Sequence, residues 1–216
     1  MMIMNLTFDK ETHTYRIDGA AVPTVTEIVS PITAQKYKAD NPILIEQAKR
    51  RGTAVHEYTQ LIDLGCPLDA IDIEPELCGY VKAYLEFLHD YSPDWTAIEK
   101  PVVHPQHLYA GTLDRLGTVD GKPALLDIKT TAQMDRLSRL ALAFQLELYS
   151  DCLEVKPERL YGLQLKKDGN YKLFNAAEIL SATGDYPYIN PSPREFLSHL
   201  IDLSHIAGGY VWQKMN

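Results

Sequence analysis

Cysteine is scarce in this chain and follows no pattern. Cys66, Cys78 and Cys152 are odd in number, widely spaced and in no CxxC arrangement, so neither a disulfide framework nor a zinc or iron–sulfur site is suggested. Long hydrophobic runs are missing as well. No stretch approaches the roughly 18 apolar residues needed to cross a bilayer, and residues 1–10 lack the basic-then-apolar order of a secretory signal; a cytoplasmic location without a membrane partner is the expectation. Positive charge is in deficit: 21 Lys and Arg against 29 Asp and Glu leave −8, the wrong sign for a protein that coats nucleic acid with a broad basic surface. A GxxxxGK[ST] phosphate loop is also absent, because Gly121-Lys122 has Leu116 where the first glycine belongs and Pro123 where Ser or Thr belongs. No internal repeat or low-complexity tract is present.

What remains is the composition of an ordinary globular protein, 45% hydrophobic and 23% charged over 216 residues, enough for one well-packed domain. Asp18-Gly19 is a two-residue hairpin signal between strands near residues 12–17 and 20–22. Asn41-Pro42 pairs an N-cap residue with proline at the first helical position, and Ile45, Ala48, Val55 and Leu61 follow at helical spacing up to Gly65. Residues 75–91 repeat apolar side chains as a second amphipathic helix does, ending at Ser92-Pro93. From Trp95 to Lys129, β-branched and apolar runs broken by Asp120-Gly121 predict strand, strand, tight turn, strand. Residues 134–154 return to the helical period. Two further strands, 159–165 and 171–176, flank Lys167-Asp168-Gly169-Asn170, an irregular Pro- and Tyr-containing connection covers 184–193, and a last amphipathic helix runs over 193–212. The fold class that follows is α/β, a central mixed sheet flanked by helices, with an N-terminal β-hairpin.

The chemistry concentrates on the central hairpin. If Asp120 and Gly121 are the two turn residues, facing positions sum to 241 and Asp114 lies opposite Asp127. Cross-strand neighbours have Cβ atoms about 5 Å apart, and like charges so placed are destabilising unless a cation lies between them. Asp127 and Lys129 share one face of their strand while Ile128 points into packing. Oxygen donors of this kind suit Mg²⁺ or Mn²⁺, which keep waters and bridge phosphate oxygens; such an ion stabilises a charged transition state and lowers the pKa of a bound water. Lys129 is placed to orient or activate that water.

Two helices add to this set. In Arg50-Arg51-Gly52-Thr53-Ala54-Val55-His56, Gly52 and His56 share a face, and a glycine inside a helix, costing about 1 kcal/mol against alanine, suggests a close approach there that brings His56 near the same partner. In Phe144-Gln145-Leu146-Glu147-Leu148-Tyr149, Gln145 and Tyr149 place an amide and a phenol four residues apart on one face, a pair able to hold a phosphate or a base. Lys49, Arg50 and Arg51, together with Arg115, Arg136 and Arg139, form local positive charge near these motifs and are candidate phosphate contacts.

Taken in order, Gly52 to His56, Gly111-Thr112-Leu113-Asp114, Asp127-Ile128-Lys129-Thr130-Thr131 and Gln145 to Tyr149 resemble the PD-(D/E)XK nuclease superfamily, in particular its RecB-like exonuclease branch, which includes phage exonucleases, Cas4 and AddB nuclease domains and the mitochondrial genome maintenance exonuclease. The resemblance implies a restriction-endonuclease-like core over 40–180, a hairpin and lead-in over 1–35, and a C-terminal helix over 193–213 within one domain. It implies that Asp114 and Asp127 bind Mg²⁺ or Mn²⁺ with the Ile128 carbonyl and His56, that Lys129 supports the attacking water, that Gln145 and Tyr149 position the DNA strand, and that Glu99 matches an acidic position of some members. Unlike Cas4 and AddB, the chain lacks four cysteines for an iron–sulfur cluster. The activity implied is a metal-dependent DNA exonuclease of phage or mobile-element recombination or end processing, in a bacterial cell or phage-infected host, with DNA as substrate and a single-strand annealing or binding protein as a partner in trans. A structure-specific endonuclease of the same superfamily and a catalytically silent DNA-binding scaffold are the alternatives.

Overall fold

A computed structural model describes residues 5–9, 12, 14–37, 41–182 and 192–208. The chain opens with a small antiparallel sheet of β1 (Leu6–Asp9), β2 (Thr14–Ile17) and β3 (Ala20–Val22) in that order. The turn between β2 and β3 is the expected Asp18-Gly19, both at positive φ (+49° and +85°), as a two-residue hairpin turn requires. The expected hairpin has therefore gained a third strand, β1. Next comes α1 (Val25–Tyr37), which sequence periodicity did not reveal. Its start is a reciprocal capping box: Glu27 N donates to Thr24 Oγ1 at 3.1 Å and Thr24 N to Glu27 Oε2 at 2.7 Å.

Helix α2 (Pro42–Asp63) begins where Asn41-Pro42 places it, with Asn41 Oδ1 accepting from Ile43 N at 2.9 Å. Two short 3₁₀ turns lead into α3 (Cys78–Tyr91). The main sheet then forms from β4 (Asp94–His104), β5 (Tyr109–Val119), β6 (Lys122–Lys129), β7 (Arg159–Leu165) and β8 (Tyr171–Asn175), neighbours in that order. All its ladders are antiparallel except β6 to β7, which is parallel and bridged by α4 (Arg136–Asp151). A parallel pair needs such a crossover, and so the mixed α/β sheet anticipated from the sequence is realised. After β8 the chain turns into a short α5 (Ala176–Ser181), for which the sequence reading placed no element beyond the strand ending at residue 176, and α6 (Pro193–Ala207) follows. Of the irregular connection expected over 184–193 all but the last two residues, and of the last helix the part expected beyond residue 208, lie outside the described residues.

Helices cover both faces of the sheet. On one face α1, α4 and α6 bury Ile28, Phe144, Leu148 and Leu200 against Leu113 and Leu125. On the other, α2 and α3 bury Val55, Tyr84 and Phe87 against Leu126, Ile128 and Leu163. Alternation along β6 explains the division, since Leu125 serves one core and Leu126 and Ile128 the other. The N-terminal sheet docks on β5 through a bridge between Thr24 and Ala110 and a 2.6 Å hydrogen bond between the Tyr15 and Thr112 hydroxyls. Cys66, Cys78 and Cys152 are all free thiols. No helix among the described residues is long and apolar enough to cross a membrane.

Candidate active site and metal centre

The β5–β6 ladder keeps the register read from its turn. Val119 pairs with Lys122 and Arg115 with Leu126, while Asp120 and Gly121 both hold positive φ. Asp114 and Asp127 are next in this register, just past the last paired residues. The other neighbour, β4, adds a third acid. Ile98 pairs with Arg115 and Lys100 with Leu113, so Glu99 occupies the position across from Asp114. Three carboxyl residues thus stand in a row across β4, β5 and β6. Glu99 takes φ +47°, a left-handed conformation that is uncommon for a residue with a Cβ and typical of strained functional positions.

Helix α2 brings His56 to this row. One ligand atom each from His56, Glu99 and Asp114 lie within 4.8 Å of one another, a group that could hold a metal ion. His56 Nδ1 is 3.3 Å from Glu99 Oε1 and 3.7 Å from Asp114 Oδ1, while Nε2 is 3.1 Å from the Ile128 carbonyl. When the ring is neutral with its proton on Nε2, Ile128 O accepts that proton and the Nδ1 lone pair faces the two carboxylates, the orientation a metal-binding histidine uses. Burial opposes a charge on His56, but Asp114 and Glu99 outweigh it and raise the imidazole to about 9. In the metal-free chain near pH 7 a proton therefore sits where the cation would bind.

Each carboxylate is also anchored by the scaffold. Asp114 Oδ2 accepts the Ile128 N–H at 2.6 Å, leaving Oδ1 toward His56. Glu99 Oε1 accepts from Arg115 Nη1 at 3.1 Å. Asp127 stands apart from the three-residue cluster: Gln145 Nε2 of α4 donates to its Oδ1 at 2.8 Å, and Lys129 Nζ lies 2.8 Å from its Oδ2. Burial raises the Asp127 carboxyl above its ordinary range and Asp114 adds to this, against the pull of Lys129. Tyr149, one helical turn beyond Gln145, shares a hydrogen bond with it. Its ring lies against Gly111, where an added Cβ would come within 2.8 Å of Cε1. The Gly-Thr-Leu-Asp motif thus begins with glycine because Tyr149 fills the space beside it.

Several sequence expectations change. Arg115 was expected to touch phosphate, yet its side chain is 0% exposed. It lies on the opposite side of β5, where Nε meets Asp63, Nη2 donates to Thr59 Oγ1 at 3.0 Å and Nη1 also reaches the Asp114 carbonyl at 2.8 Å. Its charge is matched by the buried Asp63 and the half-buried Glu99. Gly52 does not mark a close approach, since a Cβ there would find its nearest neighbour, Thr130 Oγ1, at 3.8 Å; His56 is brought in by α2 as a whole. Arg50 is exposed and paired with Glu74 at 3.2 Å. Arg51 Nε donates to the Thr130 carbonyl at 3.2 Å, at the end of the Asp-Ile-Lys-Thr-Thr segment. Arg136 is exposed and Arg139 half-buried, both in the first turn of α4. Asp63 and Thr59, which hold Arg115, carried no signal in the sequence.

No protein-family model matches the chain, and no curated protein does. Among solved structures it is similar to an alkaline exonuclease from Laribacter hongkongensis, at 13% identity and a TM-score of 0.36 over 86% of this chain and 91% of that one. The same enzyme in complex with dAMP gives 13% and 0.36 over 87% and 93%, and a structure of SSO0001 gives 14% and 0.28 over 86% and 96%.

Proposed function

We propose that this chain is a divalent-metal-dependent deoxyribonuclease that digests DNA from ends. The reading is carried by the convergence of His56, Glu99 and Asp114 donor atoms within 4.8 Å, beside a buried Asp127 paired with the lysine two residues on. Two carboxylates and one imidazole with an accessible side suit Mn²⁺ or Mg²⁺, which accept oxygen ligands and complete their shell with water and phosphate. When bound, the ion neutralises charge on the scissile phosphate and lowers the pKa of an attacking water.

The chain's own groups do the rest. Asp114 and Glu99 present oxygens whose partners, Ile128 N–H and Arg115, fix their direction. His56 presents Nδ1 because Ile128 O holds the other nitrogen. Lys129, 34% exposed, supplies an ammonium beside Asp127 that orients the water and stabilises negative charge as it develops. Gln145 holds Asp127, and through it the position of Lys129. Tyr149, buried behind Gly111 and Gln145, sets the wall of the site. The Gln145–Tyr149 face lies at the metal motif, which supports an exonuclease reading over an endonuclease.

The test is cleavage of linear and covalently closed DNA with Mg²⁺, Mn²⁺ or EDTA. Linear DNA is degraded with metal, closed circles survive, and Asp114→Asn, Asp127→Asn and Lys129→Ala each lower the rate by at least about 100-fold, the scale of losing an electrostatic stabiliser. Native-rate cleavage by purified Asp114→Asn refutes the assignment. Cleavage of closed circles at the linear rate replaces the exonuclease with an endonuclease, and no cleavage under any condition leaves a DNA-binding scaffold.

A further inference from the structure

Beyond Lys129 the sheet continues into a basic groove that the metal centre does not use. Lys129 pairs with Gln164 on β7, and Gln164 with Lys172 on β8. Two strand spacings separate Lys129 from Lys172, roughly 10 Å, close to the rise of about three stacked nucleotides. At the Gln164–Lys172 end of this row opens a cavity of about 370 Å³ with Arg139, Lys166, Lys172, Phe174 and Gln164 in its walls. Its floor is tied to the active-site segment, since Gln164 Nε2 donates to the Thr131 carbonyl at 2.7 Å.

The groove's chemistry is specific. Three cations face one carboxylate along its lining, a local +2 in a chain of net −8. That carboxylate, Asp135, accepts from Ser138 N at 2.8 Å as the N-cap of α4. Among the described residues none of the three cations forms a salt bridge within 4 Å, Lys166 being drawn to Asp168 only at longer range, whereas the larger cavity beside α2 is lined by Glu74 and Glu76, and its Arg50 is paired with Glu74. Phe174 is half-buried and belongs to neither core cluster. Cations beside an open aromatic ring form the pattern that holds single strands, phosphates on the charges and a base on the ring. In a duplex the base faces are stacked on their neighbours, so only an unpaired nucleotide can lie on Phe174. A volume of this size admits a single nucleotide.

We propose that Arg139, Lys166, Lys172 and Phe174 form a binding site for an unpaired nucleotide of the DNA strand that runs past Lys129. This rests on the nuclease reading and adds its substrate class: a strand that is single next to the site of cleavage.

The experiment is fluorescence anisotropy of the full chain with a labelled oligothymidylate and with a blunt duplex of equal length, in EDTA so that nothing is cut. Lys166→Ala and Lys172→Ala each weaken single-strand binding and lower the slope of log K against log salt by about 0.7. Lys172→Arg retains both affinity and slope. Phe174→Ala weakens single-strand binding by about tenfold with the slope unchanged, and duplex affinity moves by less than a third as much in every variant. Unchanged single-strand affinity in the Ala variants overturns the proposal, as do equal losses on duplex. Cleavage by the unmodified chain with Mn²⁺ is read separately. Cleavage without the binding losses removes the groove and leaves the nuclease; the losses without cleavage remove the nuclease and leave the groove.

Discussion

Replacing Arg115 with methionine tests whether the buried face of β5 is held by charge. The guanidinium is fully buried and contacts Asp63, Glu99, Thr59 Oγ1 and the Asp114 carbonyl. Methionine restores much of the volume and none of the donors. Glu99 is 26% exposed and can turn to water, but the Asp63 side chain is 2% exposed and keeps two neutral partners, the Tyr84 hydroxyl at 2.7 Å and Trp95, with no cation among them. Breaking a buried pair by removing one partner costs about 3–5 kcal/mol, a large share of the roughly 5–15 kcal/mol that holds a domain together. With a urea m-value near 2 kcal/mol/M, the midpoint of unfolding drops by about 2 M.

The sign with pH follows from Asp63. Burial raises its carboxyl even with Arg115 present, which pulls the other way; without Arg115 it rises further. A carboxyl whose folded pKa exceeds the unfolded value contributes stability that is full below the unfolded pKa and is lost as pH climbs through the folded one. The deficit of Arg115→Met is therefore larger at pH 8 than at pH 5. Adding Asp63→Asn removes the stranded charge, so the double variant is more stable at pH 8 than Arg115→Met alone. Urea melts of the three variants and the unmodified chain decide it: a midpoint shift for Arg115→Met below about 0.5 M, or strictly additive losses in the double variant, refutes the reasoning.

Two helical glycines should respond with opposite signs: Gly52→Ala has room and gains up to about 1 kcal/mol in thermal melts, whereas Gly79→Ala drives its methyl into the Lys167 backbone and loses about 1–3 kcal/mol. Burial first, and His107 next, lower His104 to about 4, and its neutral Nδ1 accepts from the Gln106 and His107 amides; stability is lost as pH falls from about 6.5 through 4, and His104→Asn flattens that limb in acid titrations followed by fluorescence. His56, raised to about 9, contributes stability below about 6.5 that fades as pH passes 9 in the metal-free chain. Because Mn²⁺ must displace that proton, the increase in melting temperature it produces should grow from pH 6.5 to 9; a rise independent of pH argues against His56 as a ligand.

Local conformational demands were the legible part of the sequence. Asp120-Gly121 is a turn that only residues tolerant of positive φ can make, and its position alone set the register placing Asp114 across from Asp127. No comparable turn joins β4 to β5, where His104 Nδ1 and a left-handed Leu108 shape the connection, so the place of Glu99 opposite Asp114 could not be counted from the sequence. Helix α1 was hidden for another reason. Val25, Thr26, Ile28 and Val29 are residue types that favour strands and Pro31 is a helix breaker, yet the capping pair Thr24 and Glu27 stands in the sequence and outweighs them once Ile28 and Val29 pack in the core with α4. The role of Arg115 depends on Asp63, 52 positions away. Such a partner is set by tertiary packing, which no local pattern encodes.

The way the three acids are held separates structure from function at this site. Asp127 has both oxygens occupied by Gln145 and Lys129, so its charge is balanced within the fold. Asp114 commits Oδ2 to the Ile128 N–H and turns Oδ1 toward His56, while Glu99 shares its Oε1 between Arg115 and His56. Unit charges about 4 Å apart near a protein surface repel by roughly 4 kcal/mol, and the left-handed backbone of Glu99 adds about 1–3 kcal/mol of strain. Neither cost is recovered in packing, because both hydrophobic cores close without these side chains. The arrangement is tolerable while His56 carries a proton, and the divalent cation proposed above would take that proton's place. A fold that places a left-handed glutamate and a facing aspartate at one accessible point, and supports that point from behind with a buried arginine, suits the divalent cation proposed above.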